Sequence, residues 1–262
     1  RDGGVKAMIK LKRPDKPSEL TTDIENQLIK EFKETKNSVW RKPYIVDALN
    51  KMSHEKCCYC EIKLGTQSRE MQVEHFLYKD GYPDKVVSWN NLLPSCRQCN
   101  SNKGTHDVVK DGEIIDPSVD DPRDYLYLKY YMIKSKNNDI DSKGRRTVDL
   151  LDLNNRVRLV NPRIEIADKM RYKLENIHEK AVVLFGRNDG KQYNKTKILN
   201  GIRDILLMAQ SDAEYSAFMA TIILNDDDFI ETKNILIKLG LWSEELDTLH
   251  KNAEVLKLDT NK

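Results

Sequence analysis

Outside two short clusters the chain has no cysteine: Cys57, Cys58 and Cys60 form one, Cys96 and Cys99 the other. Such an odd, uneven set excludes a disulfide-stapled secreted domain, which would be smaller and spread its cysteines more evenly. It points to a reducing, cytoplasmic setting and to a metal. Long apolar runs are also missing. None approaches the ~18 residues that span a bilayer, and no signal-peptide core is visible, so no membrane segment is expected. Charge of one sign is absent too, with 44 Lys plus Arg against 42 Asp plus Glu, which excludes coating of nucleic acid by bulk charge. A Gly-x-x-x-x-Gly-Lys-[Ser/Thr] phosphate loop is lacking, so any ATP must be handled by another chain. There is no internal repeat and no low-complexity tract.

What remains is a chain of 262 residues, 39% hydrophobic and 33% charged, long enough for one large domain or two small ones and suited to helices with wide solvated faces. Four segments suggest themselves: an arm with helices (1–56), a cysteine-bounded module (57–107), short strands with a connecting segment (108–160), and a helical region (161–262). The fold class expected is α+β, predominantly helical. Residues 1–7 show no apolar pattern and are set aside, with Met8 as the expected natural start. Lys10 to Pro17 reads as an extended basic arm. Thr22 and Glu25 form a capping-box pair ahead of Ile24, Leu28 and Phe32, and Pro43 opens a second helix with Ile45, Ala48, Leu49 and Met52 on its apolar face. Gly112 to Ile115 and Tyr125 to Ile133 read as strands, with a turn at Asn137 to Asp139. Helices follow from Arg146, then over Glu165–Leu184 (ended by Gly186 to Gly190), Thr196–Ala209, Glu214–Leu224, Asp228–Leu239 and Ser243–Leu256.

Cys57 and Cys60 make one Cys-x-x-Cys knuckle, and Cys96 and Cys99 make the second. Two intervening residues let both thiolates of a knuckle face one ion, and two knuckles complete a closed, tetrahedral, structural Zn²⁺ site. Cys58 is the spare and is expected to pack or stay free.

Between the knuckles stand Val73-Glu74-His75-Phe76 and Trp89-Asn90-Asn91-Leu92-Leu93. The second knuckle continues as Cys96-Arg97-Gln98-Cys99-Asn100-Ser101-Asn102-Lys103-Gly104. In this ordered combination the stretch from Cys57 to His106 resembles the HNH endonuclease family, whose ββα-metal module is held by flanking Cys-x-x-Cys pairs. A carboxylate beside a histidine in a strand faces the opposite side of the sheet, and phosphodiester hydrolysis needs both a base for water and a cation for the charged phosphate. The resemblance implies Glu74 as metal ligand, His75 as general base, Asn91 as the brace of the His-bearing loop, and Asn100, at the start of the helix after the knuckle, as second metal ligand. Their oxygen donors suit Mg²⁺ or Mn²⁺. Many members carry Asp or His where Glu74 stands, and His where Asn100 stands, which argues against a catalytic Zn²⁺. Arg97 and Lys103 are candidate phosphate contacts. For Asn90 a turn and for Trp89 a core position are the plain readings, and His54 and His106 lie near the knuckles without a required role.

The flanks narrow the likeness. Met8-Ile-Lys-Leu-Lys-Arg-Pro, Cys57-Cys-Tyr-Cys-Glu61, Ile115-Asp-Pro, Asp121-Pro and Thr147-Val-Asp-Leu-Leu-Asp-Leu-Asn154 resemble the PtuB-like HNH proteins of bacterial Septu antiphage defence systems, also found beside retrons. That resemblance implies a nuclease acting on DNA or a structured RNA such as tRNA, partnered with a PtuA-type ATPase, and in the retron setting with a reverse transcriptase and its RNA–DNA hybrid. Because the module is neutral while residues 1–56 carry 13 basic against 9 acidic side chains, the basic arm or a partner is expected to supply most of the grip on nucleic acid. The rival reading is a non-catalytic zinc-stabilised adaptor, and a redox protein using Cys58 ranks last.

Overall fold

The first helix is capped one residue earlier than the sequence pattern indicates. In the computed structural model, which describes residues 8–65, 70–186 and 192–260, with side chains of 192–194 also outside the description, α1 spans Thr22–Thr35. Thr21 is extended and its hydroxyl accepts from the Ile24 N–H at 3.3 Å, so Thr21, not Thr22, is the cap. Thr22 is already helical, which removes the Thr22–Glu25 box, although Asp23 and Glu25 still favour the positive end of the helix dipole. The helix α2, Pro43–Met52, begins on its proline and buries Ile45, Leu49 and Met52, with Ala48 half-buried. Residues 1–7 and the segment 187–190 expected to end the long helix lie outside the described residues.

The chain divides into two compact units, one of residues 10–125 with 135–153, the other of Met8, Ile9, 126–134 and 154–260. In the first, β1 (Met71–His75) pairs antiparallel with β2 (Leu92–Cys96) in the register Met71↔Cys96 to His75↔Leu92. The helix α3 (Arg97–Lys103) follows directly and packs on both strands, and α2 also packs against the pair. All of β2 is buried, although its central residue is Pro94. Proline has no N–H for a ladder and is tolerated where that edge position is not needed for strand pairing. The Pro94 carbonyl accepts from the Cys58 N–H at 2.8 Å, which docks the first knuckle on the strand.

Two strand expectations need correction. Gly112 to Ile115 is irregular, not a strand; Ile114 and Ile115 are buried, but the Ile115 N–H bonds the Thr147 hydroxyl at 2.8 Å instead of a neighbouring strand. Tyr125 to Ile133 is a hairpin of β3 (Leu126–Lys129) and β4 (Met132–Ser135), broken where Tyr130 takes a left-handed φ of 57°. The bend after Lys136 is as expected, and Ser142 then caps α4, Lys143–Leu150.

The second unit is mostly helical. A π-turn at Arg156–Val160, capped by Asn155, leads into α5, Asn161–Gly186. Met170, Leu174, Ile177 and Ala181 form its buried stripe, as the sequence indicates. Next come α6 (Gln192–Leu207), α7 (Ser216–Leu224), α8 (Asp227–Lys238) and α9 (Glu244–Leu256). The short helix α7 is almost wholly buried, while α5 packs on α6 and α8. The architecture is therefore mixed α+β and mostly helical. Among the described residues no helix is long and apolar enough to cross a membrane.

Candidate functional site

The two knuckles meet. Cys57, Cys60, Cys96 and Cys99 are all buried, and their sulfurs lie within 4.8 Å of one another. A tetrahedral ion with Zn–S near 2.3 Å requires sulfurs roughly 3.8 Å apart, and Cys60 Sγ to Cys96 Sγ is 3.8 Å. The Cys99 N–H points at Cys96 Sγ at 3.4 Å, and the Ser95 hydroxyl lies 3.7 Å from Cys57 Sγ. Such contacts stabilise buried thiolates and orient them toward a metal. The four side chains thus fit a structural Zn²⁺. Cys58 is buried outside the cluster, and burial pushes its thiol well above the usual range, so it packs as a neutral residue. Lys56 and Glu61 flank the first knuckle as a pair at 3.0 Å with almost no exposed surface, an arrangement that no motif in the sequence signals.

One strand step separates Glu74 and His75, and their side chains meet different neighbours. Glu74 Oε1 lies 2.8 Å from Lys103 Nζ, and both side chains are buried. Lys103 Nζ also donates to the His75 carbonyl at 2.8 Å. Burial pushes the Glu74 carboxyl up to about 7, against the pull of Lys103. Lys103 is thereby corrected. It is not a phosphate contact but a buried ammonium held between β1 and α3.

On the other side, the His75 ring packs edge-on against Trp40, with centroids 4.6 Å apart. Its Nε2 lies 2.9 Å from the Val86 carbonyl. A carbonyl only accepts, so Nε2 carries the proton and Nδ1 keeps its lone pair. Burial lowers the His75 pKa to about 4, leaving a neutral imidazole near pH 7.

Asn91 is nearly buried in the short 3₁₀ turn Trp89–Asn91. Its Oδ1 accepts from the Leu77 N–H at 2.7 Å, and its Nδ2 donates to the Leu77 and Lys85 carbonyls, each at 3.0 Å. The Phe76 N–H adds a bond to the Asn91 carbonyl at 3.0 Å. One amide therefore ties together both ends of the loop that leaves His75 and carries Val86. The loop is pinned again where the Tyr82 hydroxyl donates to Asp107 at 2.8 Å.

Asn100 falls in the middle of α3, not at its start, half-buried and one turn before Lys103. Glu74 and Asn100 thus lie on packed neighbouring elements, and their donor types suit a hard divalent cation. With Lys103 in place, however, Glu74 Oε1 already faces a counter-charge, although it makes no hydrogen bond. Arg97 is exposed at the head of α3. His54 is exposed, and His106 Nε2 pairs with the Gly112 carbonyl at 2.8 Å. Trp89 is core, donating its Nε1–H to the Pro14 carbonyl at 2.9 Å.

The arm differs from expectation. It is extended, as the sequence indicates, but docked where a grip on nucleic acid was expected: Leu11 is buried and its N–H bonds the Pro117 carbonyl at 2.7 Å. Arg13 Nη1 donates to the Trp89 carbonyl at 2.6 Å and the Leu92 carbonyl at 2.8 Å, while Nη2 donates to the Ser118 hydroxyl at 2.8 Å.

No family model matches the chain, and no solved structure matches it. Among curated proteins, it is 45% identical over 247 residues to the Septu protein PtuB of Bacillus thuringiensis, with 94% of each chain covered. It is 26% identical over 296 residues to the Septu protein PtuB of Bacillus mycoides strain KBAB4, covering 94% of this chain and 99% of that protein.

Proposed function

The chain belongs to the Septu PtuB family, and from that footing we propose that it is an HNH endonuclease of a bacterial antiphage defence system. The observation that carries the reading is His75. Its Nε2–H is committed to the Val86 carbonyl, and the ring is neutral near pH 7, so Nδ1 keeps its lone pair one strand step from Glu74. A fixed tautomer with a free lone pair is what a general base for water requires. Asn91 holds the loop that supplies the Val86 carbonyl and so keeps the imidazole in one orientation.

Glu74 and Asn100 are the residues that would hold Mg²⁺ or Mn²⁺, which when bound stabilises negative charge on the phosphate and the leaving oxygen. The cysteine cluster holds Zn²⁺ as a staple for the β1–β2–α3 module. The substrate class is DNA or a structured RNA such as tRNA, with Arg97 among the phosphate contacts. Regulation falls to an ATPase partner of the PtuA type, with a retron reverse transcriptase and its RNA–DNA hybrid in systems that encode them.

The direct test assays the purified protein, with its ATPase partner, on duplex DNA, single-stranded DNA and tRNA in Mg²⁺ and in Mn²⁺. Cleavage by wild type and its loss in His75→Ala are expected. Equal cutting by both defeats the assignment.

One observation favours a second reading. The Lys103 ammonium already neutralises Glu74, as a zinc-stabilised adaptor with no second metal would need. Mn²⁺ titration followed by electron paramagnetic resonance separates the two. A bound ion lost in Glu74→Ala supports the nuclease, and zinc alone supports the adaptor.

A further inference from the structure

We propose that Arg13 is a positioning residue for the His75–Asn91 centre and that the N-terminal arm works as a strap, not as a grip on nucleic acid. The inference rests on the nuclease reading and extends it to a residue well before the cysteine module, which begins at Cys57.

Arg13 brackets Asn91. Its Nη1 holds the carbonyls of Trp89 and Leu92, the residues on either side of the Asn90-Asn91 pair, at 2.6 and 2.8 Å. Its Nη2 reaches the Ser118 hydroxyl at 2.8 Å, and Ser118 in turn donates to Asp116 at 2.7 Å. The guanidinium lies 5.6 Å from the centroid of the Trp89 ring, and the indole N–H returns a bond to the Pro14 carbonyl next to it. Arm and turn are therefore stitched in both directions.

The consequence passes along a short chain of bonds. The bracketed turn presents Asn91, the Asn91 amide ties Leu77 and Lys85, and Val86 beside Lys85 receives the His75 Nε2–H. Releasing the bracket lets Asn91 and the Val86 carbonyl move, and with them the imidazole. A guanidinium can satisfy two carbonyls and a hydroxyl at once because its donors are fixed in a planar fork. An ammonium keeps the charge but not that geometry, so lysine isolates positioning from electrostatics.

The test compares wild type with Arg13→Lys in the full-length chain. Three quantities are read: kcat and KM for the preferred nucleic acid, the salt dependence of binding, and the histidine side-chain ¹⁵N spectrum. Positioning predicts that Arg13→Lys lowers kcat about 10- to 100-fold, the scale of a misplacement near 1 Å, with KM and salt slope unchanged. It also predicts loss of the single Nε2–H tautomer at His75. A raised KM with a flatter salt slope makes Arg13 a phosphate contact and overturns the proposal. Unchanged kcat and an unchanged His75 spectrum overturn it too, whether or not the melting temperature falls. If wild type cuts nothing, the nuclease reading fails on its own, and the spectrum still decides whether Arg13 sets the state of His75.

Discussion

Lys103 Nζ stands 2.8 Å from Glu74 Oε1 and 2.8 Å from the His75 carbonyl, so one buried ammonium joins both residues of the Glu-His pair to α3. A buried pair is costly to break from one side because the remaining charge has no partner. Lys103→Ala is expected to lose about 3–5 kcal/mol in urea unfolding. The double change Glu74→Gln with Lys103→Met should recover a large part of that loss. A double variant no more stable than Lys103→Ala would show that the pair is not the source of the cost.

The cysteine cluster predicts one zinc per chain by elemental analysis. Cys96→Ser or Cys99→Ser should lose it and destabilise the unit of residues 10–125 and 135–153, since binding energy at a structural zinc site is folding energy. Cys58→Ala should keep full zinc content, because Cys58 lies outside the cluster. Zinc loss in that variant would place Cys58 among the ligands.

Asn91 makes three side-chain hydrogen bonds to the loop backbone. At about 1 kcal/mol each, Asn91→Ala should cost about 3 kcal/mol. Asn91→Asp should not rescue it, because a carboxylate cannot donate to the Leu77 and Lys85 carbonyls. Faster amide exchange at Leu77, whose N–H bonds Asn91 Oδ1, is the local signature to measure by hydrogen exchange.

His250 gives a pH prediction. It is stacked on Phe229 with centroids 6.0 Å apart, edge-on to Trp242, and its Nε2 faces Lys233 Nζ at 3.0 Å. Burial and Lys233 lower its pKa below the ordinary value of 6.5, although Asp247 and Glu254 pull the other way. A histidine with a depressed folded pKa contributes stability above its unfolded pKa, and that stability fades as pH falls below about 6.5. Unfolding free energy should therefore fall between about pH 7 and pH 5, and more shallowly in His250→Gln. Identical pH profiles for the two proteins would rule out His250 as a source of the slope.

The four-cysteine cluster was legible in the sequence because spacing within a knuckle is local chemistry. Glu74, His75 and Asn91 were legible as an ordered motif, but their physical state was not. The tautomer of His75 depends on the carbonyl of Val86, eleven residues away, and a backbone acceptor leaves no trace in residue identity. Lys103 reads in sequence as a candidate phosphate contact because its burial follows from α3 packing on β1, a tertiary fact. Arg13 counted only as arm charge, since an arginine that binds carbonyls looks like any other. The β3–β4 hairpin was hidden because Tyr130, at its reversal, supplies none of the Gly or Asn cues that mark a left-handed turn.

The exposed side of a two-stranded sheet is a hazard, because unpaired backbone groups invite strands from other molecules. Here the outer carbonyls of β2 are occupied, Leu92 by Arg13 and Pro94 by the Cys58 N–H, and Pro94 has no N–H to offer. The first cysteine knuckle is thus also a guard on the sheet edge. Stripping the metal would loosen that knuckle and uncover the edge, so demetallated protein should self-associate through β2 before it unfolds completely.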